Sequence, residues 1–565
     1  MNKRQIRSAV RNSINNVIYE GCTDVSIFER PFELNYLKRN SKEIEDDVTL
    51  KIENALLNGK GLAALKTNKL SYVLVPKKNF YDFRKCALID IIDEIKYLSI
   101  VLLIARSIEN NRVSKRVAFS YRLKKYESGR IFDKRYNYSL FKNEYKKLAS
   151  TKKYNVMIEC DIANFYDRLN LHRLNSTLLS IDAIDSKISN LIDDLLLFWA
   201  NRDSYGLPVG SNASRILAEA FLIEIDNYLL SHGIKFCRFV DDYRFFAKNV
   251  YEANKILSIF VEILNKHGLS INTGKTNLKD IRDYKFNSSI NKVSKDNNEI
   301  SKIIRGYSGL VPSKFRKLSD KERRELKKED EKEILDKLTN NSIIESKDII
   351  KCLKIIVAKD KFNELKKIPN ILKKYPQFVP YFSDIINKNK EFISNSIYTY
   401  ILNEFAKWLK TPNTPEYILI SIIRMYDASH EKEKIELFDF YKNLKRNSGI
   451  YLGRAILEQL GYNLTRGELL ELKDYYLRAD CWEKRQIVNM VLHGLSAQEN
   501  RPFIKDLKIN CNDIFILEMV KEYKKKQKWK ILIFKRLWIN PYLISLSSSF
   551  VSNLSLLPSN KAKKR

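Results

Sequence analysis

Two adjacent aspartates, Asp241 and Asp242, sit inside the apolar and aromatic run "FCRFVDDYRFF" (236–246). This pair restricts the chain more than any other feature. A buried carboxylate is costly unless it is paired or bound to a cation, and two side by side drive one of them to take a proton. The plain reading is a hairpin with a solvated tip, because Asp is a favoured turn residue. In a strand alternate residues share a face, which sets Phe239, Asp241 and Tyr243 against Val240, Asp242 and Arg244. The sharper reading is a hard-cation site that needs a third carboxylate from elsewhere.

The chain around this pair is strongly basic, with 101 Lys and Arg against 68 Asp and Glu and a formal net charge of +33. Such an excess points to a polyanionic partner, nucleic acid or an anionic membrane. Membrane is the weaker choice, since no apolar run approaches the ~18 residues that span a bilayer. The opening "MNKRQIRSAVRNSINN" also lacks the apolar core of a secretion signal. The seven cysteines are scattered singly, which fits a reducing cytoplasm and argues against a disulfide framework or a zinc finger. The length, 565 residues, allows roughly three or four domains, and the scarcity of Gly and Pro favours helix.

Periodicity orders the chain. Residues 1–70 read as a helical extension. Next come strand-like "LSYVLVPKK" and the long apolar stretch "FRKCALIDIIDEIKYLSIVLLIARSI" at helical spacing. "YNVMIECDI" (154–162) reads as a buried strand, "IKFCRFVDDYRFFAKN" (234–249) as a hairpin, and "YEANKILSIFVEILNKHGL" as an amphipathic helix stopped by Gly268. This alternation predicts an α+β domain ending near 290. Residues 314–338 are densely charged and helical, most simply a solvated face or linker. From 340 to about 540 amphipathic helices follow one another, as an α bundle or a degenerate helical-repeat array.

Eighty residues before Asp241, Asp161 ends the buried run in "MIECDIANFYD". A strand end delivering it beside the doublet makes a three-carboxylate cluster, suited to Mg²⁺ ions that take oxygen ligands and substrate phosphates. "CDIANFYD", "GLPVGSNASRILAE" and "RFVDDYRFF", in that order and spacing, resemble palm motifs A, B and C of reverse transcriptases over roughly residues 70–285. The resemblance implies a right-hand polymerase, fingers, palm and thumb, followed here by an all-α helical-repeat domain.

Carried over residue by residue, the resemblance makes Asp161, Asp241 and Asp242 the catalytic carboxylates, with the carbonyl of Ile162 as a further metal ligand. Two Mg²⁺ ions are implied, with Mn²⁺ as a substitute. Tyr166 matches the steric gate against a 2′-hydroxyl, with a core aromatic as its plainer reading. Gly206, Pro208, Val209 and Gly210 form the loop that meets the nucleotide. Val209 is a departure, because many members carry Gln there and Val cannot hydrogen-bond the nucleotide. Lys77, Lys78 and Arg84 in "VPKKNFYDFRKCA" are candidates for clamping the triphosphate, against a reading as surface charge. "FSYRL" (119–123) resembles a fingers element of bacterial members. Lys275 in "HGLSINTGKTNL" matches the motif D lysine that protonates pyrophosphate.

No endonuclease finger, RNase H carboxylate set or retron signature follows the palm. The whole chain therefore looks most like the abortive-infection and defence-associated reverse transcriptases of bacteria, whose C-terminal half is a HEAT-like repeat. The expected layout is a helical extension (1–70), fingers (71–150), palm (151–285), thumb-like or linker helices (286–340), helical repeat (341–545) and basic tail (546–565). The expected function is a cytoplasmic, Mg²⁺-dependent DNA polymerase in antiphage defence. It would add deoxynucleotides to a DNA, RNA or protein primer, with a non-coding RNA or without a conventional template. Its partners would be RNA, a DNA product and dNTPs, and either a second copy or a partner defence protein. The alternatives are a retron- or intron-type enzyme copying a structured RNA, and a non-catalytic RNA-binding scaffold with a palm fold.

Overall fold

A computed structural model describes residues 2–22, 28, 31–77, 83–127, 129–282, 313–340, 346–444 and 451–539. Lys78 and the tail at 546–565 lie outside the described residues. The chain divides into two compact units, Met1–Met425 and Tyr426–Arg565. The fold is mixed α+β, with a helical C-terminal region as expected.

The first unit opens on α1 (Lys3–Glu20), started by a capping box in which Asn2 and Gln5 exchange hydrogen bonds. β1 (Ser71–Pro76) and β2 (Phe83–Leu88) form an antiparallel hairpin. The apolar stretch read at helical spacing therefore splits. Its start is strand, and helix begins only at α2 (Ile91–Asn111), where the Asp90 carboxylate caps the N–H of Ile92. A second hairpin, β3 (Leu123–Glu127) with β4 (Arg130–Phe132), precedes α3 (Tyr138–Ala149).

The central sheet has the order β6-β7-β5-β8, all antiparallel: β5 (Val156–Asp161), β6 (Lys235–Phe239), β7 (Asp242–Ala247) and β8 (Asn277–Asp280). Register pairs Ile158 with Phe245 and Cys160 with Tyr243, all fully buried on one face. α4 (Asn212–Ser231) and α5 (Val250–Lys266) lie on this side, Phe260 of α5 packing 4.8 Å from the Tyr243 ring. The other face carries the pairs Met157–Phe246, Glu159–Arg244 and Asp161–Asp242. It is apolar at the end covered by α3, where Met157 and Phe246 join Phe141 in one core cluster, and charged at the other. The charged end is where β5 stops and β7 starts.

Helices from Asp320–Leu326 to Glu416–Ile423 complete the first unit, and the charged run 314–338 supplies two of them, Asp320–Leu326 and Glu331–Asn340. The second unit is helical throughout the described residues, from Glu431–Lys442 to Ile514–Ile539. No helix among the described residues is long and apolar enough to cross a membrane.

Candidate active site

The tip joining β6 to β7 is a two-residue turn. Phe239 pairs with Asp242, leaving Val240 and Asp241 as its central residues. Asp242 is thus the first residue of β7 and sits directly across from Asp161, the last of β5. The N–H of Ile162 donates to the carbonyl of Asp241 at 3.1 Å, stitching the strand end to the turn. The three carboxylates the sequence set eighty residues apart therefore come together at one sheet end.

Like charges facing each other across strands repel, and the surroundings answer this unevenly. Asp161 Oδ2 accepts from the Lys275 ammonium at 3.0 Å and from the Asn272 amide at 3.2 Å. The Lys275 pKa is raised: desolvation opposes its charge, but Asp161, Asp241 and Asp242 together outweigh that. Asp242 is paired with Arg244 and accepts from the Tyr138 hydroxyl at 3.3 Å, while burial pushes its carboxyl pKa up. Asp241 is left with the least compensation. As a residue it is half-buried, yet its carboxyl lies deep enough for desolvation to dominate, with Asp161 next. Together they push its pKa up to about 7. Arg84 acts in the opposite direction on the same carboxyl.

The remaining candidates gather around this end. Tyr166 is buried on the short helix Phe165–Arg168, its ring edge-on to Phe165. Its carbonyl accepts from Leu207 N–H at 2.9 Å, and Gly206 N–H donates to Leu169, so the GLPVG loop lies along the turn after Asp161. Gly206 has φ +100° and Gly210 φ +119°, conformations that favour glycine. Pro208 and Val209 are buried, and the Val209 carbonyl accepts from Ala87 N–H of β2 at 3.2 Å. That bond ties the loop to the hairpin bearing Arg84. Lys77 is half-buried at the end of β1. Asp167 feels Arg84, Lys85 and Lys77 in that order, although burial still raises its pKa. A cationic cluster thus faces the same end as the carboxylates.

Lys85, Asn272, Arg244 and Tyr138 were not anticipated. Arg244 could have been found by face alternation, being two residues beyond Asp242, and Asn272 by its place three residues before Lys275. Nothing in the sequence ties Tyr138 to a site 104 residues away. Among the described residues no group of three or more His, Cys, Asp and Glu side chains forms a ready cage for a metal. Asp161 and Asp242 are engaged by Lys275 and Arg244 instead. The donor chemistry nevertheless fits a hard divalent ion: adjoining carboxylates, one so desolvated, and so near another, that it resists ionising.

A family profile described as Reverse transcriptase (RNA-dependent DNA polymerase) matches residues 93–295, the segment holding all three aspartates and the GLPVG loop. The chain carries a reverse transcriptase domain. No curated protein matches the chain. Solved structures similar to it include three telomerases. Apo telomerase from Candida tropicalis is 14% identical over 68% of this chain and 73% of that one, TM-score 0.31. Telomerase from Candida albicans in complex with a TWJ fragment of telomeric RNA is 11% identical over 69% and 66%, TM-score 0.29. A C. tropicalis telomerase truncated from its C-terminal domain is 16% identical over 38% and 50%, TM-score 0.27. The chain spans half of that truncated telomerase and about two thirds of the C. albicans one. Within the reverse transcriptase domain, Asp161, Asp241 and Asp242 share the charged end of the palm sheet.

Proposed function

We propose that the protein is a Mg²⁺-dependent reverse transcriptase that adds deoxynucleotides to a primer terminus. The observation that carries this is the register placing Asp161 opposite Asp242, with Asp241 in the adjoining turn. Asp161, Asp241 and Asp242, with the Ile162 carbonyl, would hold two Mg²⁺ ions, or Mn²⁺ in their place. Bound there, the metal would activate a 3′-hydroxyl and neutralise charge on the departing pyrophosphate. Lys77, Lys78 and Arg84 would take the triphosphate, Arg84 through its planar fork. Tyr166 would lie under the sugar and reject a 2′-hydroxyl by volume, while Gly206, Pro208, Val209 and Gly210 line the nucleotide's path. The Lys275 ammonium, held protonated by the carboxylates, could supply the proton to pyrophosphate.

The resemblance of the whole chain supports a finer reading: an antiphage enzyme of the cytoplasm whose helices beyond 341 form a HEAT-like array around a product or partner RNA. In this reading its primer is DNA, RNA or a protein hydroxyl. Purified protein supplied with dNTPs, Mg²⁺ and a primed RNA should extend the primer. Asp161→Ala or Asp241→Ala should lower the rate by about 10³-fold, as losing several kcal/mol of charge stabilisation implies. One observation favours the non-catalytic scaffold: Lys275 and Arg244 already neutralise two of the carboxylates. The scaffold requires antiphage protection and RNA retention to survive Asp241→Ala with Asp242→Ala. Sequencing nucleic acid co-purified with the protein separates the two, since recovery of RNA without DNA, with or without phage, would count against the polymerase.

A further inference from the structure

We propose that Ser120 and Arg238 are positioning residues that lock the Val240–Asp241 turn and so aim the Asp241 carboxylate, an inference that rests on the polymerase reading. Val240 has φ +56°, in the left-handed region. A β-branched residue is a true outlier there, and the first position of such a hairpin turn normally belongs to glycine. Surrounding structure must over-determine a conformation of this kind for it to persist.

Two side chains, one from a distant segment and one from the adjoining strand β6, do this by holding both polar groups of the Val240 backbone. Its N–H donates to Ser120 Oγ at 2.9 Å, and its carbonyl accepts from Arg238 Nη1 at 3.1 Å. Ser120 in turn donates to Glu219. Arg238, fully buried, forks onto Asp226 (Nε at 3.0 Å, Nη2 at 2.6 Å) and lies 3.0 Å from Glu219. Arg112 reaches the Ser120 carbonyl at 2.7 Å and the Glu219 carboxylate at 2.5 Å. The segment carrying Ser120 is bound along β6 by Phe119 N–H to the Arg238 carbonyl (2.9 Å) and Arg238 N–H to the Val117 carbonyl (2.7 Å).

Buried ion pairs are weak evidence for net stability, and their better-attested use is to fix one geometry. Here the fixed object is the residue before Asp241. Glu219 and Asp226 belong to α4, which begins directly after the GLPVG loop. The helix behind the nucleotide loop and the turn bearing Asp241 therefore share one buried network.

Ser120→Ala removes the hydroxyl and leaves Glu219 its two arginines, so the fold should stand. In the full-length protein, single-nucleotide incorporation should show kcat reduced about 10- to 100-fold, as expected for a misplaced catalytic group. KM for dNTP should stay unchanged, because the fingers cations are untouched. Glycine takes positive φ without strain, so adding Val240→Gly to Ser120→Ala should restore most of the lost rate. A wild-type kcat for Ser120→Ala, or no recovery in the double variant, overturns the proposal. Primer extension by the wild type, lost in Asp241→Ala, tests the polymerase reading separately. If no extension is seen, the melting temperatures of the two single variants and the double variant still decide the turn lock. Ser120→Ala should lower Tm less in the Val240→Gly background, and additive shifts would overturn the lock.

Discussion

Asp241 shows how one residue carries a stability cost for a site. Its carboxyl pKa is raised to about 7, first by desolvation and then by Asp161. The folded state therefore holds its proton more tightly than the unfolded chain, whose Asp titrates near ~3.9. The stability this supplies is complete below ~4 and is lost as pH rises through about 7. In EDTA, the Tm of Asp241→Asn should consequently exceed that of the wild type, by a margin that grows from pH 5 to pH 8. A margin independent of pH would mean that the carboxyl ionises normally. Tyr166 is the second residue-scale case. If its ring sets sugar choice, Tyr166→Val should relax discrimination against ribonucleotides by about 10- to 100-fold, the usual value of a volume-based filter. Paired dNTP and rNTP incorporation rates check this.

At the scale of elements, the palm end is assembled by pieces that the chain delivers from far apart. α1 is one of them. Asn16 of α1 donates to the Gly129 carbonyl at 2.8 Å, and its own amide oxygen accepts from Asn212, the first residue of α4, at 2.8 Å. Glu20 accepts from the same Asn212 amide at 2.8 Å. The N-terminal helix thus joins the β3–β4 turn to the helix following GLPVG. The joint is tight, because Gly129 has φ +76° and a Cβ there would meet the Asn15 carbonyl oxygen at 2.4 Å. Gly129→Ala should therefore cost about 1–3 kcal/mol, measured by urea denaturation.

For the whole molecule, the excess of positive charge is the property that reaches a partner before any contact forms. With a net charge of +33, RNA binding should weaken linearly in log K against log salt. A protein covering 6–10 phosphates loses roughly 10³- to 10⁵-fold between about 50 and 200 mM salt. A flat salt profile in a filter-binding or anisotropy titration would contradict an electrostatic footprint of that size. The division at Met425 and Tyr426 makes the helices from Glu431–Lys442 onward a compact unit, while the first unit contains the reverse transcriptase domain and the helices up to Glu416–Ile423.

The amino-acid sequence by itself was enough to single out Asp161, Asp241 and Asp242, because buried carboxylates in apolar strands need a reason and the motif order supplied one. It also set the α+β class and the helical second half, through periodicities that depend only on local burial. It could not separate β2 from α2, since a short buried strand running into a buried helix has one continuous apolar signature. Nor could it find Tyr138, Ser120 or Arg238 at the site. Tyr138 and Ser120 reach it only once strand register and a left-handed turn bring together segments over a hundred residues apart, and the role of Arg238 two residues before Val240 exists only within a buried charge network with Asp226 and Glu219. Such long-range pairings leave no periodic trace along the chain, so only the tertiary structure could decide them.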